Sequence, residues 1–143
     1  KISISSDKFT YIIDVETGRV DYKQNFSSAV KPILTKKYLF LITKNNLLIS
    51  IDLEKYQIIY SQDLNEKIAK YLNVKKKSAE FKSMMMANNY LYLFLKNSYF
   101  LKLNLNGEIQ KVKKLSSKLK TYPIFVDNSL MFLNKKNRLI VID

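Results

Sequence analysis

Asp14 and Glu16, and again Asp52 and Glu54, set two carboxylates two residues apart, a spacing that invites a general acid–base dyad. Both pairs follow similar apolar runs, Tyr11-Ile12-Ile13 and Ser50-Ile51, and both lead into polar, turn-forming residues. An Asp side chain that bonds its own backbone in a turn explains this recurrence better than catalysis does. Met84-Met85-Met86 offers three thioethers, suited to a soft metal such as copper or to an adaptable binding surface. Their place on a short apolar strand favours core packing instead. Tyr, Phe and Lys interleave across Tyr90–Lys102 as in a base-stacking platform, yet a strand with one buried face has the same composition. The chain has no His and no Cys, which removes imidazole bases, thiol nucleophiles and Cys-based zinc sites. Gly18 and Gly107 stand too far apart to build a phosphate-cradling loop.

The formal charge of +13 raises the question of nucleic acid. Arg19 and Arg138 are the only arginines, however, and bidentate readout of bases and phosphates favours Arg over Lys. Abundant Lys, Asn and Ile with few Gly, Pro and Arg has the look of a low-GC coding bias. The expectation is no specific nucleic-acid partner, with the charge available for loose attraction to an anionic polymer or surface. No apolar run approaches the roughly 18–20 residues that span a bilayer as a helix. The absence of Cys leaves the redox compartment open. The first residue is Lys1 rather than Met, which suggests a processed product or a fragment.

The elements that carry these residues repeat. Tyr38–Tyr60 reads as strand, turn, strand, turn, strand: Tyr38–Thr43, a break at Lys44-Asn45-Asn46, Leu47–Asp52, a second break, then Ile58-Ile59-Tyr60. Tyr38-Leu39-Phe40-Leu41 matches Tyr90-Leu91-Tyr92-Leu93 and Leu130-Met131-Phe132-Leu133. Pro32-Ile33 matches Pro123-Ile124, with Met84-Met85 in the middle copy, and Asp14, Asp52, Asn104 and Asp143 close successive strands. A period near 40 residues with four strands per unit is the signature of β-propeller blades. The fold expected is all-β: a partial β-propeller of four-stranded antiparallel blades, about two full and two partial, with one short helical insertion. It forms a single domain over 1–143, with a partial blade at 1–28, a blade at 29–62, the insertion at 63–80, a blade at 81–117 and a partial last blade at 118–143. A closed propeller needs more chain than this, so N-terminal blades of the same polypeptide are expected to lie upstream.

Within the insertion the period changes. Leu64, Ile68, Tyr71 and Leu72 fall on one helical face, and Asp63 with Glu66 forms a capping pattern ahead of a helix over Leu64–Leu72. Lys70 and Lys75-Lys76-Lys77 lie at or past its end, where the helix dipole favours cations. The insertion either covers a blade rim or protrudes as a partner-binding element through Ile68, Tyr71, Leu72, Lys75, Lys76 and Lys77.

The turn before each fourth strand resembles the tryptophan-docking repeat of the pyrroloquinoline-quinone-type (PQQ-like) propellers, roughly small-x-Asp-x-x-Thr-Gly-x-x-x-Trp. Asp14, Thr17, Gly18 and Tyr22 fit it, with Tyr22 in the Trp place. Asp52 and Tyr60 keep the spacing, but Lys55-Tyr56 replaces Thr-Gly. Asn104 and Gly107 remain in the third copy, one residue shorter, where Lys111 takes the aromatic position. The resemblance implies that these eight residues are structural staples, the aromatic docking between blades and the Asp and Thr fixing the turn. A buried Tyr hydroxyl also needs a partner, which nearby backbone would supply for Tyr22 and Tyr60. Two branches of the family matter. Quinoprotein dehydrogenases carry the quinone and Ca²⁺ beside a Trp and a vicinal disulfide, and this chain has neither Trp nor Cys. The BamB-like branch has no cofactor and works as a periplasmic scaffold of outer-membrane β-barrel assembly. The resemblance therefore implies a non-catalytic, protein-binding scaffold with no catalytic, cofactor or metal residues, in the periplasm or at the outer membrane. A fragment of a quinone-dependent dehydrogenase and a binder of anionic polymers or surfaces are the alternatives.

Overall fold

In the computed structural model, which describes residues 1–142, the chain forms four antiparallel sheets, each a meander in which consecutive strands pair. The first holds β1 (Ile2–Ser5), β2 (Thr10–Ile13) and β3 (Val20–Gln24). The second holds β4 (Ile33–Leu34), β5 (Tyr38–Ile42), β6 (Leu47–Asp52) and β7 (Gln57–Asp63), and α1 (Leu64–Leu72) follows at once. The third holds β8 (Phe81–Ala87), β9 (Tyr90–Leu95), β10 (Tyr99–Asn104) and β11 (Ile109–Lys114). The last holds β12 (Ile124–Val126), β13 (Ser129–Leu133) and β14 (Leu139–Ile142). The sheets group into two compact units, Lys1–Ala79 and Glu80 onward.

Each unit has its own apolar core. Ile12, Leu39, Leu41, Ile49, Ile51 and Leu53 pack together in the first, and Phe94, Phe100, Leu115, Leu119, Leu130 and Phe132 in the second. Leu39–Ile42 in β5 and Leu91–Phe94 in β9 are buried at every position. Strands covered on both faces lose alternation, which is why these two read as continuous apolar runs.

Three sheets carry a β-bulge at the same place. Ile12 pairs with Tyr22 but Ile13 with Val20, Ser50 with Tyr60 but Ile51 with Ile58, and Lys102 with Lys111 but Leu103 with Ile109. The extra residues are Asp21, Ile59 and Gln110. Tyr22, Tyr60 and Lys111 thus share one register position, which explains their equivalence despite the shorter third turn. In the last sheet the register differs from the expected match. Leu130 pairs with Ile142 as Leu39 does with Ile51 and Leu91 with Leu103, so Leu130 corresponds to Leu39, not to Tyr38. Alternation decides this one-residue slip, since it sends Leu130 and Phe132 inward. Asp143, which sequence comparison places with Asp52, lies outside the described residues. Asn88-Asn89 and Asp127-Asn128 both have positive φ and close two-residue hairpins, the conformation that favours Asn and Asp.

Helix α1 spans the residues its pattern predicts. Strand β7 runs past Tyr60 to Asp63, so Asp63 is both the last strand residue and the N-cap, accepting from the Asn65 and Glu66 amides at 2.8 and 3.1 Å. At the other end Asn73 turns left-handed, and its amide and that of Val74 bond Lys70 O and Ala69 O. Asn46 pins the insertion to the sheet. Its carbonyl accepts from the Leu64 amide, and its Nδ2 donates to Asn65 Oδ1 and, at 2.8 Å, to Ala79 O. Asn65 Oδ1 also accepts from the Ala79 amide. Asn46→Ala removes a buried donor from two acceptors, so it is expected to cost about 1–3 kcal/mol. Hydrogen exchange would check this: amides from Leu64 to Ala79 should lose protection while those of β2 and β3 do not.

Candidate functional site

The paired carboxylates are occupied by their own turns. Asp14 Oδ1 accepts from the Glu16 amide at 3.1 Å and from the Thr17 amide and hydroxyl at 2.9 Å each. Gly18 follows with φ +70°, where an L side chain is strained, and its amide bonds Asp14 O. Asp52 Oδ1 accepts from the Glu54 and Lys55 amides at 2.8 and 3.0 Å, and Asn104 Oδ1 from the Asn106 and Glu108 amides. The bonds from Thr17 hold the Asp14 carboxyl below its ordinary range, and the Lys55 and Glu54 amides do the same for Asp52. Carboxylates so held stay ionised and are poor proton donors.

The aromatic positions follow three different courses. Tyr22 is buried within the first unit's core, among side chains of the second sheet, and its ring stacks on Tyr56 with centroids 5.8 Å apart. Burial raises the Tyr22 hydroxyl pKa, partly offset by a hydrogen bond with the Gln24 side chain. Tyr60 is half-buried, and burial pushes its hydroxyl up to about 12 against the opposing bond with Ser50. Lys111, at the third such position, is exposed.

The structure also builds a polar cluster that sequence reasoning passes over. As the bulged residue of β3, Asp21 is re-aimed so that its side chain is only 5% exposed. Oδ2 accepts from Lys1 Nζ at 2.7 Å and from the Tyr56 hydroxyl at 2.9 Å, while Oδ1 accepts from Arg19 Nε at 3.2 Å. Lys1 Nζ also bonds the Tyr56 hydroxyl and lies 4.8 Å from its ring centroid. Tyr56 itself has φ +54°, in the place that Gly18 and Gly107 occupy in the other copies. A left-handed Tyr is strained by roughly 1–2 kcal/mol, and the stack on Tyr22 and the bond to Asp21 offset that strain. The one available sequence signal was a carboxylate inside a β-strand, where Asp is disfavoured.

Lys1, then Tyr56 and Arg19, bring the Asp21 carboxyl down to about 2. A folded-state pKa below the unfolded value means that the ionised group stabilises the fold above about pH 4. That stabilisation fades as the pH falls through about 2. Urea titrations between these limits should therefore show a flatter acid limb for Asp21→Asn than for the native sequence. Identical limbs would refute the cluster's role.

The insertion presents Tyr71, Leu72 and Val74 to solvent, with Ile68 half-buried. Lys75 and Lys77 are exposed beside them. Lys76 departs from the expected placement at the helix C-terminus. It folds back onto the N-cap, Nζ to Asp63 Oδ2 at 2.6 Å, and this pair raises the lysine's pKa and lowers the aspartate's. The carboxylate is a stronger, more local attractor than the dipole of the last turn. Met84 is buried and Met85 packs against the second unit's core. Among the described residues no three acidic side chains converge as a metal site.

In the second unit a cleft of about 380 Å³ opens between the third and last sheets, lined by Tyr90, Tyr92, Phe100, Phe125, Lys102 and Lys111 among others. The Lys102 ammonium sits 3.8 Å from the Tyr90 ring centroid, and Tyr92 and Phe125 lie 5.5 Å apart, tilted by 40°.

No family model and no curated protein sequence matches the chain. Solved structures do. BamB from Moraxella catarrhalis aligns with a TM-score of 0.68 at 14% identity, over 97% of this chain and 41% of that one. BBS1N, crystallised in complex with ARL6DN, aligns at 0.67 and 13% identity over 97% and 41%. The computationally designed Ika4 protein aligns at 0.66 and 11% identity over 98% and 82%. The chain thus spans about two-fifths of the BamB and BBS1N chains. At these identities the likeness establishes the fold: the chain is an all-β, partial β-propeller, its blades the sheets described above. Among the described residues no helix is long and apolar enough to cross a membrane.

Proposed function

We propose that the protein is a non-catalytic interaction scaffold, a PQQ-like propeller of the BamB kind that binds protein partners of outer-membrane β-barrel assembly from the periplasm. The observation that carries this reading is the division of labour among its polar and apolar residues. Asp14, Asp52 and Asn104 are engaged in turn geometry, whereas Tyr71 and Leu72 at the end of α1, and Val74, Lys75 and Lys77 just past it, stand exposed on an insertion tied down by Asn46. Exposed apolar side chains followed by exposed lysines on a fixed element suit protein recognition. The same branch of propellers supplies the periplasmic setting by resemblance.

One observation favours a second reading. Lys82, Lys96, Lys118 and Lys135 surround a cleft of about 270 Å³ in the second unit, a basic lining suited to an anionic polymer. Lys96 pairs with Glu80 and Lys82 with the Leu119 carbonyl, which leaves Lys118 and Lys135 to serve it.

Native purification of the full-length protein after mild chemical crosslinking tests the scaffold reading. A protein of the outer-membrane assembly apparatus should be recovered in near-stoichiometric amount, and less of it from Tyr71→Ser, Leu72→Ser cells. Recovery of polyanion alone, released by salt, would favour the second reading. Dye-linked alcohol oxidation by the protein supplied with the quinone and Ca²⁺ would overturn both.

A further inference from the structure

The bulge register brings Lys111 to the position of Tyr22 and Tyr60, and Lys102 to the position of Ile12 and Ser50. Where the first unit fills the space between its sheets with the Tyr22 ring, the second unit has an open cleft with an aromatic floor. Lys102 and Lys111 are also directly opposed across β10 and β11, and like charges so placed repel one another. Neither makes an ion pair among the described residues, and no carboxylate lines the cleft among them. An aromatic slot has therefore been emptied and a doubled positive charge placed at its edge.

We propose that this cleft is a recognition site for a partner polypeptide, taking one aromatic side chain flanked by carboxylates. The ring would lie where the docking tyrosine lies in the first unit, against Tyr92, Phe100 and Phe125, and the carboxylates would separate the two ammonium groups. The occupant is a peptide because the slot is the counterpart of one shaped around a tyrosine side chain, and it is acidic because, among the described residues, the charged groups lining the slot are the cations Lys102 and Lys111. Lys102, already over the Tyr90 face, would bridge ring and carboxylate. The site rests on the scaffold reading and gives it a ligand class.

The test is a titration of the ¹⁵N-labelled full-length protein with a capped Asp-Phe-Asp peptide, with Asp-Ala-Asp, Lys-Phe-Lys and phenyl phosphate as controls. Asp-Phe-Asp should shift the amides of Tyr92, Phe100 and Lys111 saturably. It should bind about tenfold more weakly to Lys102→Gln, and weaken further between about 50 and 500 mM salt. Lys111→Tyr should close the cleft, abolish binding and unfold at higher temperature than the native protein. Four results would overturn the proposal: equal binding of Asp-Ala-Asp, stronger binding of phenyl phosphate, indifference to both substitutions, and no binding because another segment of the same polypeptide fills the cleft. If the peptide fails while the native protein still crosslinks to its partner, this site alone falls. If neither binds, the scaffold reading falls with it.

Discussion

Tyr22→Ala is expected to lower the unfolding free energy by about 3–5 kcal/mol, the range for removing a buried aromatic ring. Tyr22 is 9% exposed and packs among side chains from two sheets, so little can collapse into the space it leaves. The loss has a second part. Tyr56 keeps its left-handed backbone because its ring meets Tyr22 and its hydroxyl meets Asp21, and the alanine removes the first of these supports. Tyr22→Phe should cost only about 1 kcal/mol, since it sacrifices the Gln24 bond and keeps the ring. A double-mutant cycle with Tyr56→Ala should show a coupling of about 0.5–1.5 kcal/mol. Urea unfolding followed by circular dichroism reads all three, and a Tyr22→Ala cost within about 0.5 kcal/mol, as at a surface site, would refute the staple.

Phe94→Ala should have a comparable effect in the second unit, again about 3–5 kcal/mol. Phe94 is fully buried and lies 5.9 Å from Phe100, in the cluster that Leu130 and Phe132 complete. Phe94→Leu keeps most of the volume and should cost under about 1.5 kcal/mol. Exchange protection at β9, β10 and β13 should fall with the alanine. Retained protection there would show that the cluster is not the unit's core.

Much of this architecture was legible because its signals are local. Alternating residues, polar turns and a repeat near 40 residues identify the strands, and Asp63 with the spacing of Leu64, Ile68 and Leu72 identifies the helix. What stayed hidden depends on contacts between distant residues. Asp21 reads only as a carboxylate in an unfavoured strand position until a bulge turns it toward Lys1 and Tyr56. Tyr56 reads as a lost glycine, although its ring and hydroxyl are what make the left-handed turn tolerable. Lys76 reads as a helix C-terminal cation, but Asp63 captures it. The slip in the last sheet was invisible to a match of apolar letters, because only pairing reveals whether Leu130 stands at the place of Tyr38 or of Leu39. Lys111 was visible as a missing aromatic, whereas the cleft it leaves required the sheets themselves.

Site-specific photocrosslinking in native cells tests the scaffold account most directly. Benzoylphenylalanine placed singly at Tyr71 and Val74 should give discrete adducts with a protein of the outer-membrane assembly apparatus, while placement at the turn residue Glu16 should not. Absence of adducts from both Tyr71 and Val74, in cells where the protein is folded and abundant, would contradict the account.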